Sequence, residues 1–354
     1  MVQISRIVVL SPNWLGDAAM ALPAIADIRR HFSGAALAIA ARGALASLFK
    51  AAPGIDSVVP VAADGGLLKR QRADAGALRS GRFDLAILFP NSFYTAWIAR
   101  QADIPERWGY RADFRGTLLT RRVRRPRGVI HRAAYYQHLA RELGMPSGPL
   151  RPHLLVREQD RAAGQTLLSH EGWPPSAPVV GLAPGAAYGF AKQWPPTHFG
   201  ALARLLVERE IWCVLVGLAA DRSAGRQVMA VVEQLGTSAR GAARVLNLIG
   251  RTDLRQLMGV MTHCGSFVSN DSGAAYLAAA VGSPVVTIFG PTDAQVAAPL
   301  PNLSFAGTHA VLSHPVLCSP CWLRECPIDH RCMTRVEPTR VFDAVMQQLA
   351  PAEQ

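Results

Sequence analysis

The chain has 354 residues, half of them apolar and 18% charged, which is enough for two domains of ordinary size and excludes a disordered or low-complexity protein. Pro, Gly or Asp cuts every long apolar stretch, which excludes a membrane-spanning helix, and residues 7–10 are too short for a signal-peptide core, so a cytoplasmic protein is expected. Fifteen basic and five acidic residues lie within 69–132, so ten of the twelve net positive charges sit there, densest at Arg121-Arg122-Val123-Arg124-Arg125-Pro126-Arg127. Such a patch fits nucleic acid, anionic lipid or a phosphorylated substrate, and it also fits the solvated face of an Arg-rich protein. Arginine outnumbers lysine 34 to 3, which makes each lysine informative.

Taken in order, residues 7–10 read as a first strand, 13–17 as its turn, and 18–32 as a helix bent at Pro23. Residues 36–41, 57–61 and 85–89 are further short apolar strands with helical segments between them, an alternation that predicts a doubly wound parallel α/β sheet. The breaker cluster at 172–178 precedes a fresh strand at Val179, so the domain boundary is placed there: an N-terminal Rossmann-like domain 1–172, a second 173–335, and a C-terminal segment 336–354. In the second half, 179–182 is a strand, 183–193 a loop, and a helix starts near Pro196 with Phe199, Leu202, Leu205 and Leu206 on one face. Strands follow at 212–216 and 245–249. Residues 268–292 then form a strand, a polar turn, an Ala-rich helix stopped at Gly282, and another strand, which is a parallel βαβ unit. Residues 338–349 are a last amphipathic helix, which the sequence allows to pack back toward the N-terminal domain. Two such sheets facing each other make a cleft at the carboxyl ends of their strands, where open α/β folds bind ligands.

Four turns at strand carboxyl ends carry residues fit for chemistry. Gly16-Asp17 places a carboxylate at a helix start, where it either caps the helix or serves as a general base. Pro184-Gly185 to Lys192 is Gly-rich and holds one of the three lysines, a point charge suited to phosphate oxygens. It lacks the Walker A spacing. Asp221 follows the second strand of its half, where an acid can bind ribose hydroxyls. Asn270-Asp271-Ser272-Gly273 leaves bare backbone N–H groups at a positive helix end, a geometry that suits a diphosphate. No G-x-G-x-x-G is present, which disfavours a nicotinamide enzyme. Cys213 and Cys264 sit in apolar strands as buried small hydrophobes. Cys318, Cys321, Cys326 and Cys332 form C-x2-C-x4-C-x5-C, which is not a zinc-ribbon spacing; a structural metal cluster, reduced thiols and a local disulfide staple all remain open.

Pro12-Asn13-Trp14-Leu15-Gly16-Asp17-Ala18-Ala19-Met20, the Phe89-Pro90-Asn91-Ser92-Phe93 turn, the Pro184-Gly185 to Lys192-Gln193-Trp194-Pro195 loop, and Asn270-Asp271-Ser272-Gly273 with Phe289-Gly290-Pro291-Thr292 together resemble the bacterial lipopolysaccharide heptosyltransferases, glycosyltransferase family 9. The resemblance covers nearly the whole chain in order, and the N-W-L-G-D form with the late cysteines looks closest to the heptosyltransferase II branch. It implies a GT-B fold of two Rossmann-like domains with parallel sheets facing a central cleft. It implies inverting transfer of L-glycero-D-manno-heptose from ADP-heptose to the first heptose of a phosphorylated Kdo2-lipid A core at the inner membrane surface, with no cofactor required.

By the same resemblance Asp17 is the general base and Lys192 neutralises the departing ADP. Gly185, Asp221, Asp271, Ser272, Gly273 and Tyr276 bind the donor, and Asn13, Asn91, Ser92, Arg111 and Arg115 the acceptor. The family's D-[ST]-G-x-x-H pattern carries Tyr276 in place of its histidine here, and a tyrosine holds no positive charge at neutral pH, so a different ADP- or UDP-sugar donor is the alternative. A metal-cluster nucleic-acid-binding protein would use the Arg run and the four cysteines. That run has no interleaved aromatics for base stacking, so no nucleic-acid partner is expected.

Overall fold

The computed structural model describes residues 4–61, 66–234, 239–303 and 309–350. The chain divides into two compact units, Met1–Leu155 and Val156–Gln354.

Among the described residues the first unit contains β1 (Arg6–Leu10), β2 (Ala36–Arg42), β3 (Ser57–Val61), β4 (Leu85–Leu88), β5 (Glu106–Tyr110) and β6 (Arg121–Val123), in the order β3-β2-β1-β4-β5-β6. Every pairing is parallel. The central strands are apolar on both faces because helices cover both, and Ile7, Val8, Val9 and all of β4 are fully buried. The expected 18–32 helix is two, Leu15–Met20 and Leu22–His31, because Pro23 has no N–H to continue the ladder. The chain runs from β1 outward to β3 and then returns to β4. The switch point therefore lies between β1 and β4, and the turns after those two strands carry Asp17 and Asn91.

Strands β5 and β6 had no apolar signature, and the structure shows why they form. The Arg107 guanidinium is buried but donates to the carbonyls of Leu118, Pro105 and Ile104. Trp108 Nε1 donates to Glu106 Oε2 at 2.8 Å, and Arg121 stacks on the Trp108 ring. β6 is an edge strand, where arginines guard against further pairing.

The second unit repeats the plan with β7 (Val179–Ala183), β8 (Trp212–Leu215), β9 (Val245–Asn247), β10 (Ser266–Asn270), β11 (Val285–Phe289) and β12 (Ala310–Ser313), ordered β12-β11-β10-β7-β8-β9 and all parallel. Its switch point lies between β7 and β10, whose turns carry Lys192 and Asp271. Unit 2 starts upstream of the breaker cluster, because helix Glu158–His170 packs on helix Leu254–Met261. Gly164 and Gly259 let the two backbones touch: a methyl group on Gly164 would lie 2.3 Å from the Gly259 carbonyl carbon. The 172–178 cluster is then an internal turn, tied by Trp173 Nε1 to Ala177 O at 3.0 Å. Helix Pro338–Leu349 packs on helix Pro196–Val207 and on β10 and β11, within this same unit. Cys213 and Cys264 are buried as expected, and burial pushes the Cys264 thiol up to about 12.

Candidate active site

In the first unit, Ser11 to Trp14 leave β1 and Asp17 sits in the first turn of helix Leu15–Met20, where a negative charge is favoured. Its N-cap is Trp14, with no side-chain cap bond. Asp17 Oδ1 accepts from Tyr136 OH at 3.4 Å and pairs with Arg132 Nε at 3.4 Å. Arg132 and Tyr136 are four residues apart on helix Arg132–Glu142, so both reach one face. The carboxylate is 27% exposed, enough to meet a substrate hydroxyl. Burial and then the Asp17 charge raise Tyr136 well above the ordinary phenol range, so it stays a donor to Asp17. Neither Arg132 nor Tyr136 stood out in the sequence, because only the fold reveals which helix faces Asp17.

Asn91 donates from Nδ2 to Tyr135 OH at 2.8 Å, and Ser92 Oγ donates to Thr95 Oγ1 at 3.4 Å. Asn13 and Arg111 are exposed. Arg115, expected to touch the acceptor, is fully buried. Its Nε donates to Tyr110 O at 3.0 Å, and Nη1 donates to the carbonyls of Pro90 and Ser92. Burial lowers its pKa to about 10, so it stays charged at neutral pH. In this arrangement it reaches no solvent. It shapes the turn that presents Asn91 and Ser92.

In the second unit, Asn270 stitches the two switch-point turns together. Its Oδ1 accepts from Trp194 N at 2.8 Å, and its Nδ2 donates to the carbonyls of Pro184 and Gly185, each at 3.1 Å. That brings Lys192 onto Asp271, with Nζ 2.5 Å from Oδ2. Asp271 Oδ2 also accepts from Thr292 Oγ1 at 2.7 Å, and the single hydroxyl proton of Tyr276 is shared between Asp271 Oδ1 and Ala297 O, the latter at 2.6 Å. Only 3% of the Asp271 side chain is exposed. The carboxylate expected at the diphosphate is spent inside the protein. Lys192 keeps two further N–H donors for a ligand.

Helix Gly273–Val281 begins beside this knot, and its N-cap Ser272 makes no side-chain cap bond. Its first N–H groups and positive end suit an anion. Asp221 lies against Gly185 and Gly217, and a methyl group on Gly185 would sit 2.3 Å from Asp221 Cγ. Burial raises the Asp221 pKa, while the Leu218 N–H bonded to Oδ2 at 2.8 Å lowers it.

Residues 72–330 match the profile of glycosyltransferase family 9 (heptosyltransferase). The chain belongs to this family. It is 31% identical over 312 residues to lipopolysaccharide heptosyltransferase 2 of Escherichia coli K12, covering 83% of this chain and 85% of that one. It is similar to the structure of E. coli ADP-heptose lps heptosyltransferase II, with a TM-score of 0.81 and 26% identity over 97% of this chain and 98% of the other. It shares the fold of E. coli heptosyltransferase WaaC with ADP, with a TM-score of 0.71 and 18% identity over 97% of this chain and 99% of that one. The two parallel sheets with flanking helices are those of a GT-B glycosyltransferase.

In this family 9 enzyme the late cysteines lie on a loop that braces the Lys192 turn. Tyr188 OH donates to Trp322 O at 2.7 Å, and Ala191 N donates to Arg324 O at 2.9 Å. His330 Nε2 bonds Ala191 O at 2.7 Å, and Ser319 Oγ donates to Gly290 O at 2.5 Å. Cys318, Cys321, Cys326 and Cys332 are all free thiols, and among the described residues no three His, Cys, Asp or Glu are arranged to hold a metal ion. Among the described residues no helix is long and apolar enough to cross a membrane.

Proposed function

We propose that the enzyme transfers L-glycero-D-manno-heptose from ADP-heptose, with inversion, to the first heptose of a phosphorylated Kdo2-lipid A inner core at the inner face of the membrane. The observation that carries the donor half is Lys192, held by Asp271 beside the uncapped N-terminus of helix Gly273–Val281. As the acceptor oxygen attacks heptose C1, its proton passes to Asp17 and the C1–phosphate electron pair leaves with ADP. Negative charge then grows on the diphosphate. Lys192 and the helix N–H groups stabilise that charge more in the transition state than in the ground state. Gly185 leaves room for Asp221 at the ribose. Ser272 and Gly273 meet the diphosphate, while Asn13, Asn91, Ser92 and Arg111 meet the acceptor. This reading routes no step through a metal.

One observation favours a second reading. The resemblance implies a histidine where this chain has Tyr276, whose hydroxyl is committed to Asp271 and Ala297, so it brings no charge to the donor. A different ADP- or UDP-sugar is therefore the alternative donor. A screen of nucleoside diphosphate release with Kdo2-lipid A acceptors carrying zero or one heptose separates them. ADP release from ADP-heptose that requires the singly heptosylated acceptor supports the first reading, and turnover with UDP-sugars supports the second.

A further inference from the structure

The second-unit turns proposed for the donor carry less free positive charge than their sequence suggests. The Lys192 ammonium faces the Asp271 carboxylate, with Nζ 2.5 Å from Oδ2, so that pair is neutral as a unit, and Tyr276 brings no charge. What remains is the positive end of helix Gly273–Val281, worth roughly half an elementary charge. A nucleotide-sugar diphosphate brings a negative charge on each phosphate and gains another as the glycosyl bond breaks. The balance calls for a further cation beside Lys192.

Arg324 is placed to be that cation. It lies on the cysteine loop, where its carbonyl accepts from Ala191 N at 2.9 Å, and Trp322 N, two residues earlier, donates to Pro291 O at 2.8 Å. The loop is thus tied to the turns after β7 and β11, the two strands that flank β10 and its Asp271 turn. Gly189 permits the approach: a methyl group there would collide with the Arg324 carbonyl oxygen and lie 2.9 Å from its Cβ. The guanidinium then lies over the Tyr188 ring, with Cζ 5.4 Å from the centroid, and Lys192 Nζ is 4.7 Å from the same centroid. The ring is pinned by its hydroxyl on Trp322 O at 2.7 Å. Two cations therefore share one ring, but only one of them is neutralised. Arg331 on the same loop is taken up by Asp329, whereas the exposed Arg324 is in no ion pair among the described residues.

We infer that Arg324 is a second donor-binding cation, its guanidinium fork closing on the diphosphate oxygens beside Lys192. The inference deepens the donor reading of these turns and rests on it. The planar fork matches two phosphate oxygens at once, whereas the lysine ammonium is a point charge. Stacking on Tyr188 restrains the long side chain before the ligand arrives, which lowers the entropy lost on binding.

The test is calorimetric titration of the full chain with ADP, and with adenosine and UDP as companion ligands. The parent is compared with Arg324→Met, Arg324→Lys, Arg324→Glu and a control, Arg226→Ala, which removes an exposed arginine from helix Arg222–Gln234. Arg324→Met keeps the stem and removes the charge. It should weaken ADP about 10–100-fold, the worth of a hydrogen bond to a charged group, with Arg324→Lys in between and Arg324→Glu weaker still. Adenosine affinity should not change, and the control should match the parent throughout. ADP affinity in Arg324→Met within about twofold of the parent, or no further loss in Arg324→Glu, overturns the inference. So does an equal loss of adenosine affinity, the sign of a disturbed loop. A parent that binds UDP in place of ADP, with the same losses in the variants, keeps Arg324 on a diphosphate and overturns the ADP-heptose reading instead. A parent that binds neither overturns both.

Discussion

Asp271 illustrates how a residue can be legible in sequence while its work is not. Its place after β10, before an open helix, was readable, and so was the likeness of its turn to a diphosphate site. Only the structure shows that Lys192, Thr292 and Tyr276 take up its carboxylate. Lys192→Ala removes the positive charge that the proposed mechanism sets against the leaving diphosphate, and it strands the buried Asp271 carboxylate. Transfer should fall by about 10²–10³-fold, as when an oxyanion donor is lost, and stability by about 3–5 kcal/mol. Thermal unfolding beside the rate assay separates the two losses. Tyr276→Phe keeps the ring but removes a bond to a charged group, so it should cost about 1.5–3 kcal/mol with Lys192 still in place. A melt unchanged from the parent contradicts that bond. Arg132 and Tyr136 were invisible for a plainer reason: a helix more than a hundred residues away in sequence gives no local sign that it faces Asp17.

At the scale of elements, strands buried on both faces were legible because continuous apolar runs admit few other placements. β5 and β6 were not, since Arg107 is met in part by the Leu118 carbonyl and Arg121 by the Trp108 ring of the neighbouring strand, contacts that no local pattern announces. The domain boundary shifted for a similar reason. The Gly164–Gly259 contact that assigns helix Glu158–His170 to the second unit is made by two glycines, which carry no pattern. Gly164→Ala should force those backbones apart and cost about 1–3 kcal/mol, seen as a lower melting temperature with donor affinity retained per folded molecule. An unchanged melt would show that the helices are not in contact. β12 offers a pH handle. Val285 N donates to His309 Nδ1 at 3.2 Å, and burial lowers the imidazole from its ordinary 6.5 to about 4. Between those values the unfolded chain binds a proton that the folded chain refuses. Stability is complete above about pH 6.5 and declines as pH falls toward 4. His309→Gln should flatten that decline in denaturant melts across the same range.

For the whole molecule, charge and architecture give separate clues. The +12 balance, concentrated in residues 69–132, was readable at once, but that part of it lies on the edge strand β6 needed the fold. The repeat of one sheet plan in two units was legible from alternating strands and helices and is the plan of a GT-B glycosyltransferase. The central claim is that Asp17 deprotonates the acceptor while the Lys192 turn receives the leaving ADP. The direct measurement is acceptor-dependent ADP release from ADP-heptose by the parent and by Asp17→Asn, alongside donor binding to each. The account predicts release only with the singly heptosylated Kdo2-lipid A, a loss of about 10²–10⁴-fold in the variant, and equal donor affinity in both. Release by Asp17→Asn at the parent rate, or release indifferent to the acceptor, would contradict it.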